Sequence, residues 1–192
     1  MLNERYTALL ISATDKAEKS LSAVLSSNGF KYIVSAHTAG AARRIASERP
    51  VDLAVINTPL TDDYGVKLAV DFAERNIGVL LFVAKDVYEP VAGKAEPKGV
   101  VVLAKPIVKG ELIQAIRVLK VMRGKLMKLE ARATSMEEKM KEIRLVNRAK
   151  WLLIDRLKMS ESEAHRYIEK SAMDDSVSKG VIAENIIKIY DT

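Results

Sequence analysis

Arg148-Ala149-Lys150-Trp151-Leu152-Leu153-Ile154, followed by Ser160-Glu161-Ser162-Glu163-Ala164-His165-Arg166-Tyr167-Ile168 and Lys170-Ser171-Ala172-Met173, decides how the C-terminal part of this chain is read. Ser160 and Glu163 have the spacing of a capping box, in which each side chain satisfies the other residue's backbone N–H. A helix therefore opens there, and the helix before it runs through Trp151 to Leu157. Asp174-Asp175 supplies favourable caps for a third helix carrying Val181, Ile182, Ile186 and Ile187. Cations are dense in this part: Arg144, Arg148, Lys150, Arg156, Lys158, Arg166, Lys170 and Lys179. Arg166 and Lys170 lie four apart and share a helix face. Together with Lys179 they are expected to converge on one phosphate-binding surface. Tyr167, Arg166 and Trp151 offer planes on which unstacked RNA bases stack. Cations alone describe a solvated face equally well, because Lys and Arg normally sit outside.

Upstream, the chain keeps a heptad rhythm. One seam position holds Ala115, Met122, Leu129, Met136 and Ile143, and its partner holds Leu119, Leu126, Ala133, Met140 and Asn147. Alternating steps of four and three are a coiled-coil pattern. The flanks, among them Arg123, Lys125, Lys128, Glu130, Arg132, Glu137, Glu138 and Lys141, leave only a narrow apolar stripe. A homodimer is expected, with Leu119, Met122, Leu126, Leu129, Met136, Met140 and Ile143 in its seam. Methionine is adaptable and alanine buries little area, so the seam is soft.

The first 120 residues alternate apolar strands with amphipathic helices. Strands are predicted at residues 8–11, 32–35, 53–56, 79–84 and 100–103. Helices are predicted from Lys16 to Asn28, Thr38 to Glu48, Val66 to Arg75, and from Lys109 onward. Strands apolar on both faces and separated by helices imply an α/β fold with a parallel sheet between helix layers.

Bulk composition excludes several classes. The chain has 192 residues, 48% hydrophobic and 29% charged, with a net charge of +6. No apolar run approaches the roughly 20 residues of a membrane span. Asn3, Glu4 and Arg5 precede the first apolar run, which does not fit a signal peptide. The absence of cysteine removes disulfides and thiolate catalysis and fits a cytoplasmic setting. The basic balance permits a polyanionic partner. No nucleophile–base pair, phosphate-cradling glycine loop or metal cluster is apparent, so no enzyme activity, cofactor or metal is expected. His37 and His165 are not assigned to a metal.

The order of elements, with Lys105-Pro106 after the fifth strand, resembles response-regulator receiver domains over about residues 6–120. The resemblance implies a flavodoxin-like, five-stranded parallel sheet. It also implies a phosphoacceptor aspartate ending strand three, Mg²⁺-binding acids after strand one, a Thr or Ser switch after strand four, and a lysine for the phosphoryl group. Here those positions hold Asn57, Ser12 with Ala13, Val83 and Lys105. An amide has no anionic oxygen to attack a phosphoryl donor, and hard cations need carboxylate oxygens. The expectation is a pseudo-receiver that works without phosphorylation. Asp52, Asp62 and Asp63 are the alternative carboxylates. Asp52 suits the pre-strand acid, and Asp62-Asp63-Tyr64-Gly65 suits a turn. A regulatory protein or ligand at this half is a further partner open to it, with the face of strands four and five as the first candidate for docking.

The C-terminal motifs resemble the ANTAR family of RNA-binding modules that control transcription termination. Ala149-Lys150 matches its first helix. Ser160, Glu161 and Ala164 match the second, Lys170, Ser171 or Ala172, and Met173 match its end, and Val181-Ile182-Ala183 with Ile186-Ile187 matches the third. Trp151 stands where glycine is common in the family, and His165 where an aromatic or aliphatic residue is common. The resemblance covers about residues 130–190. It implies binding to tandem hairpins in a nascent leader RNA, favouring an antiterminator over a terminator. The residues expected at the RNA are Lys150, Arg166, Lys170 and Lys179 on the backbone, Tyr167 on a base, and Ser171 as a polar contact. Ala149 and Met173 are expected to serve close approach or packing, and Trp151 to serve packing. The expected organisation is a pseudo-receiver over 1–120, a coiled-coil helix over 121–147 and ANTAR helices over 148–192. Two other classes are a DNA-binding response regulator, since three short helices also suit helix-turn-helix docking, and a protein-interaction scaffold without nucleic-acid affinity.

Overall fold

A computed structural model describes residues 6–191. Asn3, Glu4 and Arg5, on which the reading of the N-terminus rests, lie outside the described residues. The chain divides into two compact units, Met1–Met127 and Lys128–Thr192.

The first unit is a five-stranded parallel sheet in the order β2-β1-β3-β4-β5, built from β1 (Tyr6–Ser12), β2 (Phe30–Ala36), β3 (Leu53–Asn57), β4 (Gly78–Val83) and β5 (Val100–Ala104). Between them lie α1 (Asp15–Ser27), α2 (Ala39–Glu48), α3 (Val66–Glu74) and α4 (Tyr88–Ala95), and α5 (Lys109–Leu157) follows. Side chains alternate across a strand, so each strand serves two cores. Leu9, Ile11, Ala54, Ile56, Val79, Leu81 and Val102 face one way and pack against α2, α3 and α4 through Ala42, Phe72 and Ala95. Ala8, Leu10, Val55, Leu80 and Phe82 face the other way and meet Leu25 of α1 with Leu112, Ile116 and Leu119 of α5. This places Leu119 in the sheet's core at 7% exposure, rather than in a seam with Met122. α4 escaped the sequence reading because Pro90 and Gly93 interrupt its helical pattern.

The second unit uses the end of α5 with α6 (Glu161–Asp174) and α7 (Lys179–Tyr190). Its core is Ala149, Leu153, Ala164, Ile168, Ala172, Ile182, Ala183 and Ile186. Four of these eight are alanines, whose small side chains let helix backbones approach closely. The third helix starts later than its sequence suggests. Asp174 ends α6, Asp175 is its C-cap, and the hydroxyl of Ser178 caps α7 by accepting from the Val181 N–H. Trp151 also departs from expectation: it is 70% exposed, because the helical turn that buries Ala149 and Leu153 aims position 151 outward.

Asp52, just before β3, accepts the Thr7 N–H at 2.8 Å and the Arg123 Nε–H at 3.1 Å. The Asp52 and Arg123 side chains are 14% and 17% exposed, so this is a shielded tie between the sheet and α5. Asp52→Ala leaves the Thr7 N–H without its acceptor and should lower the unit's stability by about 2–3 kcal/mol in urea unfolding.

Candidate functional site

Parallel strands bring their C-terminal ends to one edge, where open α/β sheets bind ligands. Ser12 and Asn57 are register partners in β1 and β3, and Val83 and Ala104 are partners in β4 and β5. Ser12 is buried, and its Oγ accepts from Asn57 Nδ2 at 3.1 Å. Val83 is buried and Ala13 half-buried. Lys105 donates from Nζ to the Thr58 carbonyl, and burial pushes its ammonium pKa below the usual lysine range. Asn57, Ser12, Val83 and Lys105 thus contribute an amide, a hydroxyl, an alkyl group and a cation to this edge.

The alternative carboxylates are engaged elsewhere. Asp52 ties Thr7 and Arg123 as described. Asp62 accepts the N–H groups of Ala39 and Gly40 at 2.8 and 3.1 Å, capping α2, and these bonds hold its carboxyl below the usual range. Asp63 accepts the Gly65 N–H at 2.9 Å. Gly65 itself sits at φ 79° and opens α3, where a Cβ would approach Ile56 Cγ2 to 2.9 Å. The sequence reading also passed over a grouping of Asp15, Glu18 and His37, whose donor atoms lie within 4.8 Å of one another. His37 Nδ1 lies 3.0 Å from the Ser12 carbonyl oxygen. The β2–α2 loop brings His37 to α1 across a long sequence separation, and spacing along the chain carried no signal for it.

In the second unit the expected RNA residues separate into two groups. A cavity of about 450 Å³ is lined by Leu157, Lys158, Met159, Glu163, Arg166, Tyr167 and Lys170. A second, of about 400 Å³, is lined by Glu142, Ile143, Val146, Asn147, Lys150, His165 and Lys179. Arg166, Tyr167 and Lys170 therefore share one surface, and Lys150 and Lys179 share another, because α6 turns positions 165 and 166 to different sides. The expected single convergence of Arg166, Lys170 and Lys179 is not formed. The second group is largely neutralised: Lys150 pairs with Glu161 at 3.1 Å, and Lys179 pairs with Glu169. The Lys179 hydrogen bond and the nearby His165 hold the Glu169 carboxyl below the usual range. The side chains of Arg166 and Lys170 make no hydrogen bond or ion pair among the described residues. Tyr167 is 47% exposed and Met173 80% exposed, Ser171 is half-buried, and Ala149 is wholly buried in the helix core.

The capping box fixes this surface. Ser160 Oγ accepts the Glu163 N–H, and Glu163 Oε2 accepts the Ser160 N–H at 2.8 Å and hydroxyl at 2.7 Å. Those two bonds hold the Glu163 carboxyl below the ordinary glutamate range. Just before the box, Lys158 takes φ 56°, a left-handed turn that ends α5.

Residues 134–187 match the ANTAR domain. A five-stranded parallel α/β unit is thus followed by a region that matches the ANTAR domain. The transcriptional regulatory protein PdtaR of Mycobacterium tuberculosis is 24% identical over 173 residues, covering 90% of this chain and 84% of that protein. The first unit has the fold of the signal receiver domain of an HD domain-containing protein from Pseudomonas fluorescens, at 21% identity and TM-score 0.59 over 67% of this chain and 96% of that one. A receiver domain protein from Clostridium thermocellum gives 18% identity and TM-score 0.56 over 64% and 98%.

The α6 helix of the matched region should depend on its cap. Ser160→Ala removes the N-cap and should cost about 1 kcal/mol of this region's stability at neutral pH. Because the folded Glu163 pKa is depressed, its contribution is present above the ordinary glutamate range and lost as pH falls through the folded pKa. NMR titration should show Glu163 returning toward the ordinary glutamate range in the variant.

Proposed function

We propose that this protein is an RNA-binding transcription antitermination regulator. As a dimer it engages tandem hairpins of a nascent leader RNA and prevents terminator formation, under a receiver-like domain that needs no phosphorylation. The ANTAR domain at residues 134–187 carries this reading, and the unpaired Arg166 and Lys170 beside the exposed Tyr167 support it. PdtaR, similar along most of the chain, is named as a transcriptional regulatory protein. The reading is of a regulator without catalysis. No helix of the described residues is long and apolar enough to cross a membrane, and the proposed place of work is the cytoplasm.

Exposed apolar residues on α5 support pairing with a second copy. Met122, Leu126, Leu129, Met136, Met140 and Ile143 are all exposed, and with the exposed Ala133 they follow steps of four and three. Two RNA-binding domains joined in one dimer gain from effective concentration when two hairpins lie in tandem. Independence from phosphorylation is supported by Asn57 at the acceptor position, by Ser12 and Ala13 in place of acids, and by Val83 in place of a hydroxyl.

The test is binding of the purified, untreated protein to a tandem-hairpin leader RNA, a scrambled-loop RNA and duplex DNA across a salt series. Loop-dependent RNA binding is expected. Equal and steeply salt-sensitive binding to all three would leave only nonspecific basicity, and preference for duplex DNA would favour a DNA-binding regulator. Arg166→Glu with Lys170→Glu should abolish RNA binding with an unchanged circular dichroism spectrum. Met136→Glu with Met140→Glu should give a monomer by sedimentation and weaken tandem-hairpin binding by roughly 10²-fold or more, while sparing single-hairpin affinity. Acetyl phosphate with Mg²⁺ should leave both the protein's mass and its RNA affinity unchanged.

A further inference from the structure

We propose that the cavity between the end of α5 and α6 holds one unstacked RNA base, and that Glu163 selects a base bearing an exocyclic amine over uracil. This rests on the RNA-binding reading above and names the part of the RNA that this surface takes.

The cavity's walls match the three parts of a nucleotide. Leu157 and Met159 supply apolar surface, and Tyr167 supplies an exposed aromatic ring for stacking. Lys158, Arg166 and Lys170 line the same cavity, and none has an ion-pair partner among the described residues. They are available to the phosphates on either side of an extruded base. The volume, about 450 Å³, lies within the roughly 300–1,000 Å³ of small-ligand sites. The neighbouring cavity is a poorer candidate, because Lys150 and Lys179 already pair with Glu161 and Glu169.

Glu163 is the one carboxylate among the residues lining the cavity. A negative charge against an RNA backbone is unfavourable unless it meets donors, so its presence acts as a filter. Oε2 is occupied by Ser160, and Oε1 has no hydrogen-bond partner among the described residues. An ionised carboxylate only accepts. Adenine, cytosine and guanine present an exocyclic amino group to it, whereas uracil presents a single N3–H flanked by two carbonyl oxygens that the carboxylate repels. The capping box keeps Glu163 both in place and ionised, since Ser160 lowers its pKa.

The experiment selects tandem-hairpin RNAs with randomised loops on the wild-type protein. Each loop position of the selected RNA is then replaced with uridine or an abasic nucleotide. Glu163→Gln retains a capping-box residue, so helix α6 is kept while the anionic acceptor is lost. Tyr167→Leu removes the stacking ring. At one loop position carrying an amino-bearing base, the wild type should lose roughly tenfold or more in affinity with either replacement. Glu163→Gln should reduce the preference for the amino-bearing base over uridine to about threefold or less while keeping the abasic penalty, and Tyr167→Leu should remove the abasic penalty. Loop-dependent binding in which neither variant changes the penalty at any position would overturn the base slot and leave the RNA-binding reading standing. Wild-type protein that selects no loop at all would overturn both.

Discussion

Covering both faces of the parallel sheet is the constraint on which the N-terminal unit depends. A sheet whose strands are apolar on alternate sides needs a helix layer on each. On one side α1 contributes only Leu25 to the fully buried core, so α5 must supply Leu112, Ile116 and Leu119. The apolar spacing that reads as the start of a heptad seam is therefore claimed by the sheet up to Leu119, and the stripe becomes free for a partner only from Met122. Asp52 secures the same junction by holding Thr7 of β1 and Arg123 of α5 at once.

Much of this architecture was legible in the sequence, because period-2 and period-3.6 patterns are strong where burial is complete. All five strands lie where their apolar runs fall. The capping box at Ser160–Glu163 was legible for a different reason, since its two hydrogen bonds are local and need no tertiary partner. Features that depend on packing were not legible. Trp151 is large and apolar, yet its helical phase turns it to solvent. Asp174 and Asp175 are good N-caps in isolation, but α6 continues through Asp174 and leaves the role to Ser178.

The candidate sites show the same division. Asn57, Ser12, Val83 and Lys105 could be placed by position along predicted strands, and the strand register brings Ser12 beside Asn57. The sorting of cations in the second unit could not be read from spacing. Lys150, Arg166, Lys170 and Lys179 look equivalent as a list of charges. Only the fold shows that Glu161 and Glu169 neutralise two of them and leave Arg166 and Lys170 beside Tyr167. A carboxylate's position relative to a lysine depends on two helices, and one helix's periodicity carries no information about it.

Residues 125–141 of α5 are exposed without exception. An α-helical stretch with no buried face is held by its own hydrogen bonds and by propensity alone, which is marginal in water. Its backbone amides should therefore exchange with solvent through local fraying long before either core opens. Any molecule that covers its methionine-rich stripe must also supply the free energy of keeping it wound. Winding and occupancy of this stretch are then a single equilibrium, and the number of copies of the protein at hand enters into how much helix each one contains.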